Sequence, residues 1–265
     1  VSGRHEGSRA GQPLRIAIAG ATGRMGRAVA RLAPEHHCQV VGLLAAHEEA
    51  GVTLDGVRVE GDAATAIENA EVVIDFSHPS GAVAIAKACR ARAIALVGGT
   101  TGLGDEAQRA YDELAKVAPV LWAPNMSLGV QVLADLVEMA VRRLGLAFDV
   151  EIVETHHGKK VDAPSGTAKR LLDAVRGGLD AAEPAVHGRV GDVGARKRGE
   201  IGMHAIRGGD VIGDHTVMLL GQGERIELTH RATSRDLFAH GALRAARFLR
   251  GKSPGRYAIK DLLGG

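Results

Sequence analysis

Leu14–Leu32, "LRIAIAGATGRMGRAVARL", decides the fold. Six mostly apolar residues end at Gly20, and a helical pattern starts near Gly23 and runs to about Leu32. Gly20, Gly23 and Gly26 fall at strand end, turn and helix start. Glycines are needed where a backbone turns tightly and lets a phosphate approach, and the helix start adds free N–H groups and a favourable dipole. The spacing is G-x-x-G-x-x-G, with Thr22 where the commoner pattern has its second glycine. A strand before it and a helix after it are the context that gives the motif meaning. Gly20, Ala21, Thr22, Gly23, Arg24, Met25 and Gly26 are therefore candidates for holding a dinucleotide.

Outward from this turn the pattern repeats. Gln39–Ala45, Glu71–Phe76, Ile94–Val97 and Val120–Ala123 read as buried strands, and Pro79–Ala91 and Asp105–Lys116 as amphipathic helices. Apolar strands alternating with helices predict an α/β class with a doubly wound, parallel, Rossmann-type sheet. In such sheets ligands bind at strand C-terminal ends. Two loops there, "GGTTG" and "APNMS", add Gly99, Thr100, Thr101, Ala123, Pro124, Asn125 and Met126 as cofactor candidates. A carboxylate is expected after the second strand to hold a ribose hydroxyl, but Ala45 and Ala46 stand there, followed by His47 and Glu48, so that carboxylate is missing or shifted. Without that charge a 2′-phosphate is not repelled, and His47, Arg24 and Arg27 favour one. The cofactor is read as NADPH or NADH, leaning to NADPH.

After Asn125 the character changes. Ser127–Arg143 reads as a long helix and Asp149–Glu154 as a strand with one wet face. Residues 177–200 read as an exposed loop. Ile201–Arg207, His215–Leu220 and Arg225–Arg231 read as antiparallel strands, and Asp236–Leu249 as a closing helix that packs back on the first domain. The domain reading is a tail at 1–13, a dinucleotide-binding domain at 14–127 plus 237–265, and an α+β substrate and oligomerisation domain at 128–236.

Composition narrows the function. The 265 residues are 45% hydrophobic and 24% charged, ordinary for a soluble globular protein. Aromatics are only 3%, and 33 basic residues face 31 acidic ones. Stacking platforms and a basic footprint for nucleic acid are both lacking. No apolar run reaches membrane length, so no membrane partner is expected. Residues 1–13 lack an apolar signal core and read as a disordered tail. Cys38 and Cys89, far apart, suit a reducing cytoplasm.

The chemistry gathers in "THHGKKVDAPSGTAKRL", Thr155–Leu171. His156 and His157 sit at a strand mouth, and on extended backbone only one of them faces a given pocket. Lys159 and Lys160 follow. Ser165, Gly166 and Thr167 open a helix whose N–H groups suit a carboxylate or phosphate. The segment offers a proton donor near neutral pH, a cation and an anion cradle. Adjacent histidines lack the helical spacing of a zinc site, so no metal is expected.

"GATGRMG", "VVIDFSHPSG", "VGGTTG", "APNMSLGV", "EIVETHHGKKVDAPSGTA", "IRGGDVIGDHTVM" and "GERIELTHRATSRDLFAHGA" occur in this order. Together they resemble the 4-hydroxy-tetrahydrodipicolinate reductase (dihydrodipicolinate reductase) family of lysine and diaminopimelate synthesis, over about residues 14–262. The resemblance implies reduction of a cyclic dicarboxylate imine by a nicotinamide hydride. It implies His156 as proton donor or acceptor and Lys160 as a second donor or carboxylate partner. His157, Ser165, Gly166 and Thr167 would hold substrate, and the three loops the cofactor. It also implies a homotetramer built through the second domain's sheet. The chain departs from the family pattern at Ala46, at Gly158-Lys159, where many members carry Arg-His, and over residues 47–60, which look short. Two competing readings are another two-domain NAD(P)-dependent dehydrogenase, of an amino acid or semialdehyde, and a nicotinamide sensor without turnover. The His-His-x-x-Lys and Ser-Gly-Thr elements favour the cyclic diacid over both.

Overall fold

The computed structural model describes residues 11–179 and 184–264. Most of the expected tail, residues 1–10, lies outside the described residues. The chain divides into two compact units. One takes in the chain up to Met126 together with Phe238 onward, and the other is Ser127–Leu237.

The first unit is built on β1 (Leu14–Ala19), α1 (Arg24–Leu32), β2 (Cys38–Leu44), β3 (Thr53–Leu54), β4 (Val57–Glu60), α2 (Ala63–Ala66), β5 (Val72–Asp75), α3 (Pro79–Arg92), β6 (Ala95–Gly98), α4 (Asp105–Ala115) and β7 (Pro119–Trp122). Its sheet runs β13-β7-β6-β5-β1-β2-β4-β3, with β13 (Gly255–Tyr257) contributed late in the chain. All neighbours pair in parallel except β3 with β4. This is the doubly wound sheet expected from the strand–helix alternation. Residues 47–60 carry the small β3–β4 hairpin, and α2 follows. Both are too brief to show a period in sequence.

Strand β1 lies between β2 and β5, so the chain winds outward from it both ways and opens a crevice at its C-terminal end. Ile16 and Ile18 are fully buried there. Helix α1 lies close to β1 because Gly20 turns at φ +75° and Gly26 has no side chain. A Cβ on Gly26 would come within 2.2 Å of the Gly20 carbonyl oxygen.

The second unit contains α5 (Leu128–Leu144), β8 (Asp149–His156), α6 (Gly166–Leu179), β9 (Ala185–His187), β10 (Ile201–Arg207), β11 (Gly213–Leu220) and β12 (Arg225–Ala232). The sheet order is β12-β11-β8-β10-β9. Two expectations change here. Strand β10 pairs in parallel with β8 and β9 and does not neighbour β11. The long stretch from α6 to β10 supplies the crossover that a parallel pair requires. The antiparallel pairs are those of β11 with β8 and with β12. The 177–200 stretch, read as an exposed loop, also carries secondary structure, and residues 180–183 within it lie outside the described residues. Helix α6 extends to Leu179, and β9 adds an edge strand. Arg189 and Arg196 then reach back to Glu151 at 3.0 and 3.1 Å, where His204 also bonds it at 2.7 Å. They cover the face of β8 that was expected to be wet. The closing helix α7 (Asp236–Leu249) starts at the end of this unit, and its residues from Phe238 onward, which belong to the first unit, include the buried Ala239, Ala242, Leu243, Ala246 and Leu249.

Gly26→Ala should lower stability by about 1–3 kcal/mol, the usual cost of forcing atoms into packed space. The urea midpoint measures it, and an unchanged midpoint would show that the turn yields freely.

Candidate active site

In the first unit three loops meet at the strand ends. Asp75 ends β5 and is fully buried. Its Oδ1 accepts the Ser77 amide at 2.8 Å, and its Oδ2 the Tyr111 hydroxyl at 3.2 Å. Its carbonyl accepts the Gly99 amide at 2.8 Å, and Thr100 Oγ1 approaches that carbonyl at 3.4 Å. Trp122 Nε1 donates to the Thr100 carbonyl at 3.0 Å. The loops after β5, β6 and β7 are thus held to one another. Burial pushes the Asp75 carboxyl up, with Ser77, Tyr111 and Thr100 opposing. Asp75 was not singled out from the sequence, although a lone acid ending an apolar strand is a usable signal.

The candidate cofactor residues divide by exposure. Gly23 and Arg24 are exposed at the start of α1, with Thr22 and Met25 half-buried, while Ala21 and Gly26 are buried. Gly99, Thr100, Ala123 and Met126 are buried, Asn125 is half-buried, and Thr101 and Pro124 are exposed. Helix α1 has no side-chain cap at Gly23 and no acid in its first turn. That leaves N–H groups for an anion. The absent Cβ atoms of Gly20 and Gly26 let the backbone come close, so the turn fits a pyrophosphate. Glu49, three residues beyond Ala46, accepts a hydrogen bond from Thr22 Oγ1 at 2.5 Å. Arg27 donates from Nε to the Thr22 carbonyl at 2.8 Å. His47 is exposed in a short 3-10 turn over His47–Glu49.

In the second unit the site grows out of the core. Residues of β8 that face α6 are Val150 and Ile152, then Glu154 and His156. Cross-strand partners share a face, and His215 lies opposite Glu154 while Arg207 lies opposite His156. One face of the sheet therefore changes from apolar to ionisable at the C-terminal end of β8. Glu154 is fully buried, and His156 and His215 are 8% and 3% exposed. Glu154 and His215 went unremarked in sequence. The signal was parity: in "DVEIVETH" Glu154 and His156 occupy positions where alternation calls for apolar residues.

Glu154 Oε1 accepts Arg207 Nη2 at 2.8 Å and the Ser165 amide at 3.2 Å. Its Oε2 lies against His156 Nδ1, a contact that is an ion pair only when the ring is protonated. Ser165 Oγ meets His215 Nε2 at 3.1 Å and accepts the Ala168 amide at 3.1 Å, closing the first turn of α6. The His156 and His215 rings lie 5.1 Å apart, edge to face. Lys160 bonds Asp162 at 2.6 Å. Residues 208–212 arch over the end of β8. The Gly208 amide donates to the His156 carbonyl at 2.9 Å, and the His157 amide to Val211 at 2.7 Å. His156 thus faces the buried cluster, while half-buried His157 is held by its backbone. Gly166 is exposed and Thr167 half-buried at the start of α6.

Burial favours uncharged His215, bringing its pKa to about 4. His156 adds to this and Glu154 opposes it. Burial lowers His156 as well, against the pull of Glu154. Burial pushes Glu154 up, but Arg207, His156 and the Ser165 amide outweigh it and hold the carboxyl below its ordinary range. Glu154, His156 and His215 also have donor atoms within 4.8 Å of one another, as a metal site would. A cation there would compete with Arg207, which already bonds Glu154.

A histidine kept neutral in the fold binds its proton in the unfolded chain first. Stability should therefore fall as pH drops from about 6.5 towards 4, where the folded His215 also titrates. His215→Asn should flatten that slope in urea titrations, leaving the smaller contributions of His36, His156 and His230, whose pKa values are also lowered. A slope equal to wild type would remove His215 from this role.

Residues 14–126 match the family described as "Dihydrodipicolinate reductase, N-terminus", and residues 129–263 the one described as "Dihydrodipicolinate reductase, C-terminus". A 4-hydroxy-tetrahydrodipicolinate reductase of Acinetobacter baumannii (strain AYE) is 44% identical over 94% of this chain and 96% of its own. Another from Myxococcus xanthus (strain DK1622) is 46% identical over 95% and 98%. A dipicolinate-bound dihydrodipicolinate reductase from Paenisporosarcina sp. TG-14 shares the fold with a TM-score of 0.74, at 22% identity over 93% of this chain and 98% of that one. With both halves matched in order and relatives this similar along nearly the whole length, the chain belongs to the dihydrodipicolinate reductase family of NAD(P)H-dependent oxidoreductases.

Proposed function

We propose that this chain catalyses its family's reaction, the NAD(P)H-dependent reduction of 4-hydroxy-tetrahydrodipicolinate to tetrahydrodipicolinate on the diaminopimelate route to lysine. The observation that carries the assignment of roles is the buried cluster around His156 beside a cation, Lys160, and a helix start at Gly166. The reaction adds one hydride and one proton to the substrate and releases one water. The nicotinamide supplies the hydride when bound. The first unit, through residues 20–26, 99–101 and 123–126, holds the cofactor, and the second unit holds the substrate.

The substrate carries two carboxylates and needs two anion sites. Lys160 supplies one. The α6 start supplies the other through Gly166 and Thr167, with Ser165 shaping the turn because its own amide and hydroxyl are already bonded. His157 flanks the same strand end. His156 transfers the proton. General acid catalysis of this kind is worth about 10²–10⁴-fold. The site works with protons and organic anions, without a resident metal.

Glu49 revises the cofactor reading. Its carboxylate sits on the glycine turn, where it repels a 2′-phosphate, so NADH is favoured over NADPH. Cytoplasmic location and a homotetramer built through the second unit's sheet complete the proposal. Among the described residues no helix is long and apolar enough to cross a membrane.

Synthase-generated substrate with NADH or NADPH, followed at 340 nm and titrated with pyridine-2,6-dicarboxylate, tests the reaction. Turnover blocked by the diacid supports it, and nucleotide binding without turnover sinks it. His156→Ala should lower kcat by at least about 10²-fold with little change in KM. A wild-type kcat would remove His156 from proton transfer. Glu49→Gln should raise NADPH affinity relative to NADH by about three- to tenfold, since one nearby like charge is removed. Calorimetric Kd values for the two nucleotides measure this, and an unchanged ratio would clear Glu49 of discrimination.

A further inference from the structure

We propose that Glu154 is the positioning residue of the site: its carboxylate accepts the Nδ1 proton of His156 and so makes Nε2 the nitrogen that exchanges protons with substrate. The inference rests on the reading of His156 as the proton-transfer residue.

Two oxygens of one buried carboxylate are used differently. Oε1 is taken by Arg207 and by the Ser165 amide. Oε2 is turned to His156 Nδ1, and among the described residues neither of those two atoms has another hydrogen-bond partner. A carboxylate placed only to balance Arg207 would present both oxygens to the guanidinium, since that fork is made for two parallel bonds. Here Arg207 takes one, which keeps the carboxylate charged and leaves the other to the ring. A charged acceptor on Nδ1 requires the proton there, and the tautomer of a neutral imidazole is set by such a bond.

Nε2 then carries the free lone pair. It points towards Gly213, where a Cβ would lie only 3.0 Å from it. A side chain at that position would crowd the nitrogen, and glycine leaves it approachable. His215 cannot substitute. Burial keeps it neutral, and its Nε2 is engaged by Ser165 Oγ. The charged and titratable groups around His156 are Glu154 on β8, Arg207 on β10, His215 on β11 and Lys160 in the turn after β8. Glu154 alone among them favours the imidazolium. As His156 takes a proton on Nε2, the Nδ1 proton stays in its bond to Glu154, and the charge formed is met by the carboxylate. When Nε2 gives that proton up, the same neutral tautomer is restored.

The test is ¹⁵N NMR of histidine-labelled enzyme, with His156→Ala to assign the ring, combined with kcat–pH profiles of Glu154→Gln and Glu154→Asp. In the wild type Nδ1 should carry the proton at pH above the ring's titration. Glu154→Gln should lose that tautomer preference, move the His156 titration and the matching limb of the kcat profile to lower pH, and lower kcat about 10²-fold with KM within about threefold. Glu154→Asp, which keeps the charge, should recover part of the rate. Wild-type enzyme with its proton on Nε2 would overturn the proposal by itself, even if Glu154→Gln does not fold. So would a folded Glu154→Gln with unchanged ring shifts and pH profile. Full activity of His156→Ala would instead defeat the underlying reading of His156, a different and separately visible failure.

Discussion

Burying an ionised carboxylate costs several kcal/mol unless partners meet it, and the second unit is arranged around meeting that cost at Glu154. Arg207 must come from β10, the Ser165 amide from the start of α6 and the imidazole from β8 itself. Those three demands fix the parallel pairing of β10 with β8 and the point where α6 begins. Removing any one partner leaves a buried charge less well met. In the proposed reaction the same groups make the chemistry, because an imidazole held by a desolvated anion has its ring orientation and its tautomer set before substrate arrives.

The first unit uses a buried acid differently. Asp75 touches the loops after β5 and β6 through its carboxylate and carbonyl, and Trp122 ties in the loop after β7 through Thr100. Its task is to make separate connections behave as one rigid edge. Loops at the mouth of such a sheet carry recognition, and their precision comes from what lies beneath them. Tyr111, inside the core, is the hydroxyl that reaches Asp75 from α4.

What was legible in the sequence follows from range. The turn at Gly20–Gly26 could be read because the backbone itself demands glycine. Strand β1 and helix α7 could be read to the residue because their periodicity is unbroken. The cluster from His156 to Thr167 is contiguous, so its chemistry was visible, though not its geometry. Glu154 and His215 meet only through the β8–β11 register, which no local pattern states. Strand β10 shows a sheet period that is the same for either direction, so its parallel pairing was out of reach. A shifted carboxylate was legible as a possibility, but not that Glu49, in the 3-10 turn at His47–Glu49, is the one that bonds Thr22 on the glycine turn.

Strand β8 is third of five in its sheet, with two strands on one side and two on the other. Its end is further tied down by the 208–212 arch, which bonds the backbone of both histidines. The edge strands β12 and β9 are therefore free to change sequence, length or partners while the reacting strand keeps its place. Variation can accumulate at the margins of this sheet, where new surfaces are made, without disturbing the centre, where the proposed proton transfer takes place.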